Sequence, residues 1–171
     1  MLPTLSPELK QAQQLADTAQ VFAVIALVVI VTTIAFDGGV PIGVALFDDT
    51  LDWREKTNRV GLLMVALLPA LLFYEAVNRL RLALQHYDRG EFFSTEASAR
   101  VAQAGDFAIE AMVAVILVVP NVTMWITHRG GFDMELEPAT IGMLAFACFV
   151  AAVGRILTAA TQLKAENDAF V

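Results

Sequence analysis

Ala19–Phe36 reads AQVFAVIALVVIVTTIAF, interrupted only by Gln20, Thr32 and Thr33. A bilayer core about 30 Å thick takes roughly 20 residues of helix, and an uncharged run of this length meets that need. The surface helix of a water-soluble domain would place polar side chains on every turn, and this stretch does not. Three further runs follow. Val60–Tyr74 reaches sufficient length if Glu75–Asn78 continue it, Phe107–Thr127 contains Glu110, Pro120 and Asn121, and Thr140–Ala160 contains Arg155. The expected fold is all-α: one four-span membrane bundle over residues 1–171, with spans near 19–36, 60–78, 107–127 and 139–161 and long helical extensions on the cytoplasmic side.

Composition agrees. Of 171 residues 57% are hydrophobic and 17% charged, against about 45–50% and about 25% in soluble domains. The net charge of −7 argues against a nucleic-acid partner, which needs clustered Lys and Arg. The bilayer itself is the first partner. The single cysteine, Cys148, and the two histidines, His86 and His128, build neither a disulfide nor a usual metal cage. Cys148 reads as a small core residue. No metal, cofactor or catalytic residue is assigned, since no phosphate-binding loop, nucleophile elbow, His-Glu-x-x-His or dinucleotide fingerprint occurs.

Helix punctuation places the boundaries. Ser6-Pro7-Glu8 opens the first helix, and Gly38-Gly39 is expected to stop it. The acids Glu8 and Asp17 upstream of the first span argue against a cleaved signal peptide and for a retained anchor. Asp52 with Glu55 caps the second helix, Gly90 ends it, Ser94 caps the third, Gly130-Gly131 end that, and Pro138 opens the fourth. Two connectors stay open. Val40–Phe47 fits a strand, an interfacial segment or a re-entrant turn. Phe132–Glu137 alternates apolar and acidic residues, so the two are candidates for a short two-stranded sheet. The acids Asp48, Asp49, Asp52, Glu55, Asp133, Glu135 and Glu137 are read as solvated connectors in preference to a cation site.

With four spans both termini share a side. That side carries Lys10, Arg79, Arg81, Arg89, Arg100 and Lys164, and the other Arg54, Lys56, Arg59 and Arg129. The bias places both termini in the cytoplasm.

Ionisable residues inside spans need a reason. Glu75, Glu110 and Arg155 fall at similar depth, so Arg155 is expected to pair with Glu110 or Glu75, as a structural clasp or as part of a relay. Gln103, Asp106, Glu110, Asn121 and His128 share one face of an ideal helix. That face is expected to point into the bundle, hydrogen-bonding to other helices or lining a hydrated cavity. On the fourth helix Ala147, Ala151, Gly154, Thr158, Thr161 and Ala165 form a small-residue stripe. It suits close packing within the subunit or between copies, the former being favoured.

The turn Tyr87-Asp88-Arg89-Gly90-Glu91-Phe92-Phe93-Ser94, Gly105 beyond it, and the tail Leu163-Lys164-Ala165-Glu166-Asn167-Asp168-Ala169-Phe170-Val171 resemble a family of bacterial membrane proteins, domain-of-unknown-function family 2975. The likeness covers nearly the whole chain. It implies four spans, a Gly-Glu-x-Phe-Ser/Thr turn and a Leu-x-x-Glu-x-Asp tail, but no reaction. Genes of the family often lie near small helix-turn-helix regulators, so the resemblance also implies a sensory or regulatory partner. Physically, Phe92 and Phe93 can dip into the bilayer edge, and Glu166 and Asp168 can reach Arg79, Arg81 or Arg89.

The resulting expectation is a non-catalytic inner-membrane protein acting as an accessory, sensory or regulatory subunit that binds a protein partner or its own copies. A small ion-coupled transporter using the intramembrane Glu and Arg is the alternative. An enzyme ranks last, since no nucleophile–base pair is evident.

Overall fold

The computed structural model describes residues 7–91, 94–134 and 136–168. The described residues form four helices: α1 (Pro7–Phe47), α2 (Trp53–Asp88), α3 (Thr95–Ile126) and α4 (Pro138–Asp168). All four are long and apolar enough to cross a membrane. No strand occurs among the described residues. Glu135 and the Phe92-Phe93 pair lie outside them.

Gly38-Gly39 do not end α1. The helix widens into a π turn at Ile34–Gly39, where the Val40 amide donates to the carbonyl of Ala35, and continues through Val40–Phe47. α3 repeats the device at Ala114–Val118, where the Val119 amide donates to the Ala114 carbonyl. A proline follows each π turn at the second position, Pro41 and Pro120. A proline ring strikes the carbonyl four residues back and has no amide to give it. Those carbonyls belong to Asp37 and Ile116, inside the two widened turns. One extra residue per turn makes room for the ring, and the helix need not break. With no water in hydrocarbon to satisfy an opened backbone, continuing the helix is also the cheaper path. Val40–Phe47 is therefore helical, and the two-stranded sheet does not form.

The caps follow local chemistry. Asp52 Oδ1 accepts from the Trp53 amide at 2.8 Å, and Ser94 Oγ from the Ala97 amide at 3.3 Å. At the end of α2 the Glu91 amide donates to the His86 carbonyl (2.9 Å) and the Gly90 amide to that of Tyr87 (3.0 Å), with Gly90 at φ +81°. This is a Schellman closure, whose left-handed residue costs glycine nothing. α3 closes the same way two residues before its glycines. Arg129 donates to Met124 (3.0 Å) and His128 to Trp125 (3.2 Å), and His128 itself takes φ 55°. The expected stop at Gly130-Gly131 thus falls at His128.

Each helix packs on its neighbour in sequence: α1 on α2, α2 on α3, α3 on α4. The buried positions are mostly alanine, among them Ala76, Ala83, Ala104, Ala111, Ala147 and Ala151, whereas Phe22, Phe146, Phe149 and Ile156 stand exposed. Small residues inside and large apolar ones outside is the arrangement for a lipid solvent, where close backbone approach replaces hydrophobic burial as the source of packing energy. Trp53 and Trp125, 76% and 79% exposed, mark one end of the bundle as an aromatic belt. Gly61 of α2 lies against Ile126 of α3 at that end, which sets the two helices level.

Candidate functional site

α3 is the central helix, and its sequence decides which side chains it can bury. Ala97, Val101, Ala104, Gly105, Ala111 and Met112 are buried. Toward α4 the backbones touch: a Cβ on Gly105 would fall on the backbone of Ala151, and one on Gly154 on the backbone of Ala102. The stripe Ala147, Ala151, Gly154 and Thr161 is buried against α3. Thr158 and Thr161 satisfy their hydroxyls within α4, donating to the carbonyls of Gly154 (2.9 Å) and Thr158 (2.8 Å).

These contacts use two sides of α3. The third side carries Gln103, Asp106 and Glu110, spaced by three and four residues and so stacked in one line. It faces out of the bundle, not into it. Gln103 and Glu110 are exposed, and the Asp106 side chain is 44% exposed. The flanking helices reach round to this face. From α2, Arg79 Nη1 donates to Gln103 Oε1 at 2.8 Å, Nε stands 3.5 Å from Glu75 Oε2, and the guanidinium lies 5.7 Å from the Phe107 ring centroid. From α4, Arg155 Nη2 donates to Asp106 Oδ1 at 2.8 Å. Arg155 thus pairs with neither Glu110 nor Glu75. Its acid is one turn away from Glu110, because the glycine contacts fix the register of α4 on α3. Glu110 makes no hydrogen bond or ion pair among the described residues.

Depth follows from helix rise. Counting at 1.5 Å per residue from the level of Gly61 and Ile126, Arg79 lies about 27 Å along, Asp106 about 30 Å and Glu110 about 24 Å. With the far boundary set at the level of Gly61 and Ile126, a core about 30 Å thick puts Glu110 about 6 Å inside the boundary nearer the chain termini.

Asn121 does not belong to this line. The π turn at Ala114–Val118 rotates the rest of α3 by roughly one residue, about 100°. Asn121 instead ties down the connector that follows. Its Nδ2 donates to the carbonyls of Leu117 (2.6 Å) and Asp133 (2.7 Å), and its Oδ1 accepts from the Asp133 amide (3.2 Å). Continuation of α1 also places Asp37 inside an apolar helix, exposed, beside the Gly38–Leu67 contact.

A second polar cluster surrounds the turn between α2 and α3. His86 Nδ1 meets Glu91 Oε2 at 2.6 Å, His86 Nε2 stands 3.9 Å from Glu96 Oε2, and Arg100 Nη2 donates to Glu96 Oε1 at 2.5 Å. Arg100 holds the Glu96 carboxyl below its ordinary range, and burial pushes the neighbouring Tyr87 phenol up. Gln13 of α1 donates from Nε2 to the Asp88 carbonyl, docking the extension of α1 on the same turn. His86 went unread in the sequence because its partner lies five residues on, across a chain reversal. The Glu96–Arg100 spacing of four was the available signal. Of the motif residues, Gly90 and Ser94 close and reopen helices, and Glu91 holds His86. Phe92 lies outside the described residues. Among the described residues Glu166 makes no such tail pairing: Arg79 serves Glu75 and Gln103, Arg81 donates to Asn78 Oδ1 (3.2 Å), and Glu166 is exposed. The Asp168 side chain lies outside those described.

The acidic connectors are occupied locally. Asp48 Oδ1 accepts from the Thr50 amide (2.9 Å) and hydroxyl (2.6 Å), which holds its carboxyl low, and Asp133 Oδ1 accepts from the Met134 amide (2.9 Å). No group of three His, Cys, Asp or Glu placed to hold a metal occurs among the described residues.

The family model described as "Protein of unknown function (DUF2975)" matches residues 9–171. The chain belongs to this family. No curated protein matches it, and no solved structure does. The α3 face, the α3–α4 glycine contacts and the His86–Arg100 cluster all fall within the DUF2975 match.

Proposed function

We propose that this DUF2975 protein is a non-catalytic, multi-pass protein of the bacterial cytoplasmic membrane, with both termini cytoplasmic, that serves as an accessory, sensory or regulatory subunit. It binds a protein partner in the plane of the bilayer through the outward face of α3. One observation supports this above the rest: Gln103, Asp106 and Glu110 stand exposed in one line on the outside of a helix long and apolar enough to cross a membrane. Charged groups in a span cost about 2.5–3.5 kcal/mol each at its centre on insertion scales, and they ordinarily face protein or a watery cavity. A face of this kind is stable when another helix covers it. The carrier alternative draws no such support. The cleft between α2, α3 and α4, about 480 Å³, is lined by apolar side chains such as Phe73, Leu80, Ala108, Met143 and Phe146.

The test is photo-crosslinking in native membranes, with the reactive side chain at Gln103 or Val113 on the outward face and at Met143 in the apolar cleft as control. Adducts of one discrete mass from the two α3 positions alone are expected. Equal labelling at all three, or none, defeats the partner reading. Orientation is checked by an impermeant maleimide on Cys148→Ala chains carrying Thr50→Cys or Gln85→Cys. Only the first should react from outside intact cells.

A further inference from the structure

The α3 face also specifies the chemistry of what covers it, and this step rests on the partner reading above. Glu75 is met by Arg79, and Asp106 by Arg155. Glu110 is left over, so three acidic side chains face two guanidinium groups and one acid on the face has no cation beside it. It is exposed, and no described residue bonds to it. We propose that the partner presents a transmembrane helix with one Lys or Arg about 6 Å inside the terminal-side boundary, and that this cation pairs with Glu110 when the helix lies along α3.

Three features fit this occupant. Gln103, Asp106 and Glu110 form a single line along α3, the footprint of one helix packed lengthwise. Ala99 continues the line toward its terminal end, and a small residue there lets a second backbone come close. Arg155, 62% exposed, gives one of its five donors to Asp106, so a partner acceptor near the cation can be held as well. A second copy of this chain is the poorer occupant. Two copies in one membrane share topology, and a two-fold axis along the bilayer normal sets α3 against α3 at equal depth. That brings Glu110 toward Glu110 and gives neither a cation.

The experiment uses the full chain in phosphatidylcholine vesicles, labelled at Cys148, with single-span Leu/Ala probe helices labelled at one end. One probe carries a Lys at the stated depth, a second Leu there, a third Glu. Energy transfer reads association. The Lys probe should bind at least about tenfold tighter than the Leu probe, the worth of one charge-assisted bond. Glu110→Gln should erase that difference. Glu110→Lys should move the preference to the Glu probe, a gain that misfolding cannot produce. Equal binding of the Lys and Leu probes overturns the proposal, as does self-association that Glu110→Gln abolishes. If E110Q keeps the native crosslinks at Gln103 and Val113, the charge rule falls and the partner reading stands. If those crosslinks never form yet the Lys probe still binds through Glu110, the partner reading falls instead.

Discussion

Replacing Gly154 by alanine adds one methyl group and should destabilise the protein, although alanine is the better helix former. The added Cβ would fall on the Ala102 backbone and 2.8 Å from the carbonyl carbon of Val101, where ordinary contact begins at 3.4 Å. These are main-chain atoms, so no rotamer change relieves the clash. Measured from Ala102 Cα at 2.5 Å, α4 must back away by about 0.9 Å or more, or tilt. Overpacking of this kind costs about 1–3 kcal/mol. Exchanging glycine for alanine inside a helix returns about 0.8–1.0 kcal/mol. Subtracting leaves Gly154→Ala destabilised by up to about 2 kcal/mol. Gly105→Ala should behave alike, since its Cβ would meet the Ala151 backbone and, at 2.7 Å, the Ala151 Cβ. Gly142 lies on the same helix with nothing within 4 Å of its added Cβ. There alanine should gain up to about 1 kcal/mol. The assay is unfolding of the purified chain in mild detergent, followed by circular dichroism or by size-exclusion after heating. The expected order of midpoints is Gly142→Ala above wild type, with Gly105→Ala and Gly154→Ala below. Equal midpoints for all three variants would refute backbone contact between α3 and α4.

His128 holds a left-handed conformation at φ 55°, so His128→Gly should stabilise by about 1 kcal/mol and His128→Val should lower the melting midpoint. Asn121→Ala removes the bonds to Leu117 and Asp133 and should cost about 1–3 kcal/mol, read as faster proteolytic nicking between Arg129 and Glu137 and slower migration of the intact band. Arg100 holds the Glu96 carboxyl below its ordinary value of 4.5. A lowered folded value makes this contribution present above 4.5 and lost as pH falls through the folded value. The midpoint gap between wild type and Arg100→Gln, measured against pH, should therefore shrink below 4.5 and stay constant above it.

The four helices long and apolar enough to cross a membrane were legible because apolar length is a direct property of sequence. So were the caps Asp52, Ser94 and Gly90, which act through atoms within three residues of themselves. What was not legible shares one cause. Gly38-Gly39 and Pro41 look like a helix end, but the widened turn at Ile34–Gly39 absorbs them. A similar turn at Ala114–Val118 rotates Asn121 off the line of Asp106 and Glu110, so a wheel drawn at constant pitch joins residues that the helix separates. The left-handed His128 carries no glycine to announce it. The Arg155 partner was misread by one turn, because the register of α4 on α3 depends on which glycine meets which backbone.

The direction of the α3 face has the same origin. Polar residues in a span were expected to turn inward, which holds when nothing competes for the interior. Here alanine and glycine compete and win. Gly105 and Gly154 bring the α3 and α4 backbones into contact, and Ala104 and Ala111 fill narrow buried positions that no carboxylate could occupy. Van der Waals contact at that separation is the main packing energy available in lipid, so the small residues take the interior and Gln103, Asp106 and Glu110 take what remains. Arg155 follows Gly154 in sequence, and the close approach at Gly154 lets its guanidinium reach Asp106. Gly154→Ala should therefore also loosen the Arg155–Asp106 bond. Asp106 and Arg155 would be freed together, so the balance of acids and guanidinium groups on the face stays the same and the Lys probe should keep its preference over the Leu probe while the fold weakens. A preference kept at a lowered melting midpoint would separate recognition at Glu110 from the packing at Gly154. A preference lost together with stability would tie the face to the packing beneath it.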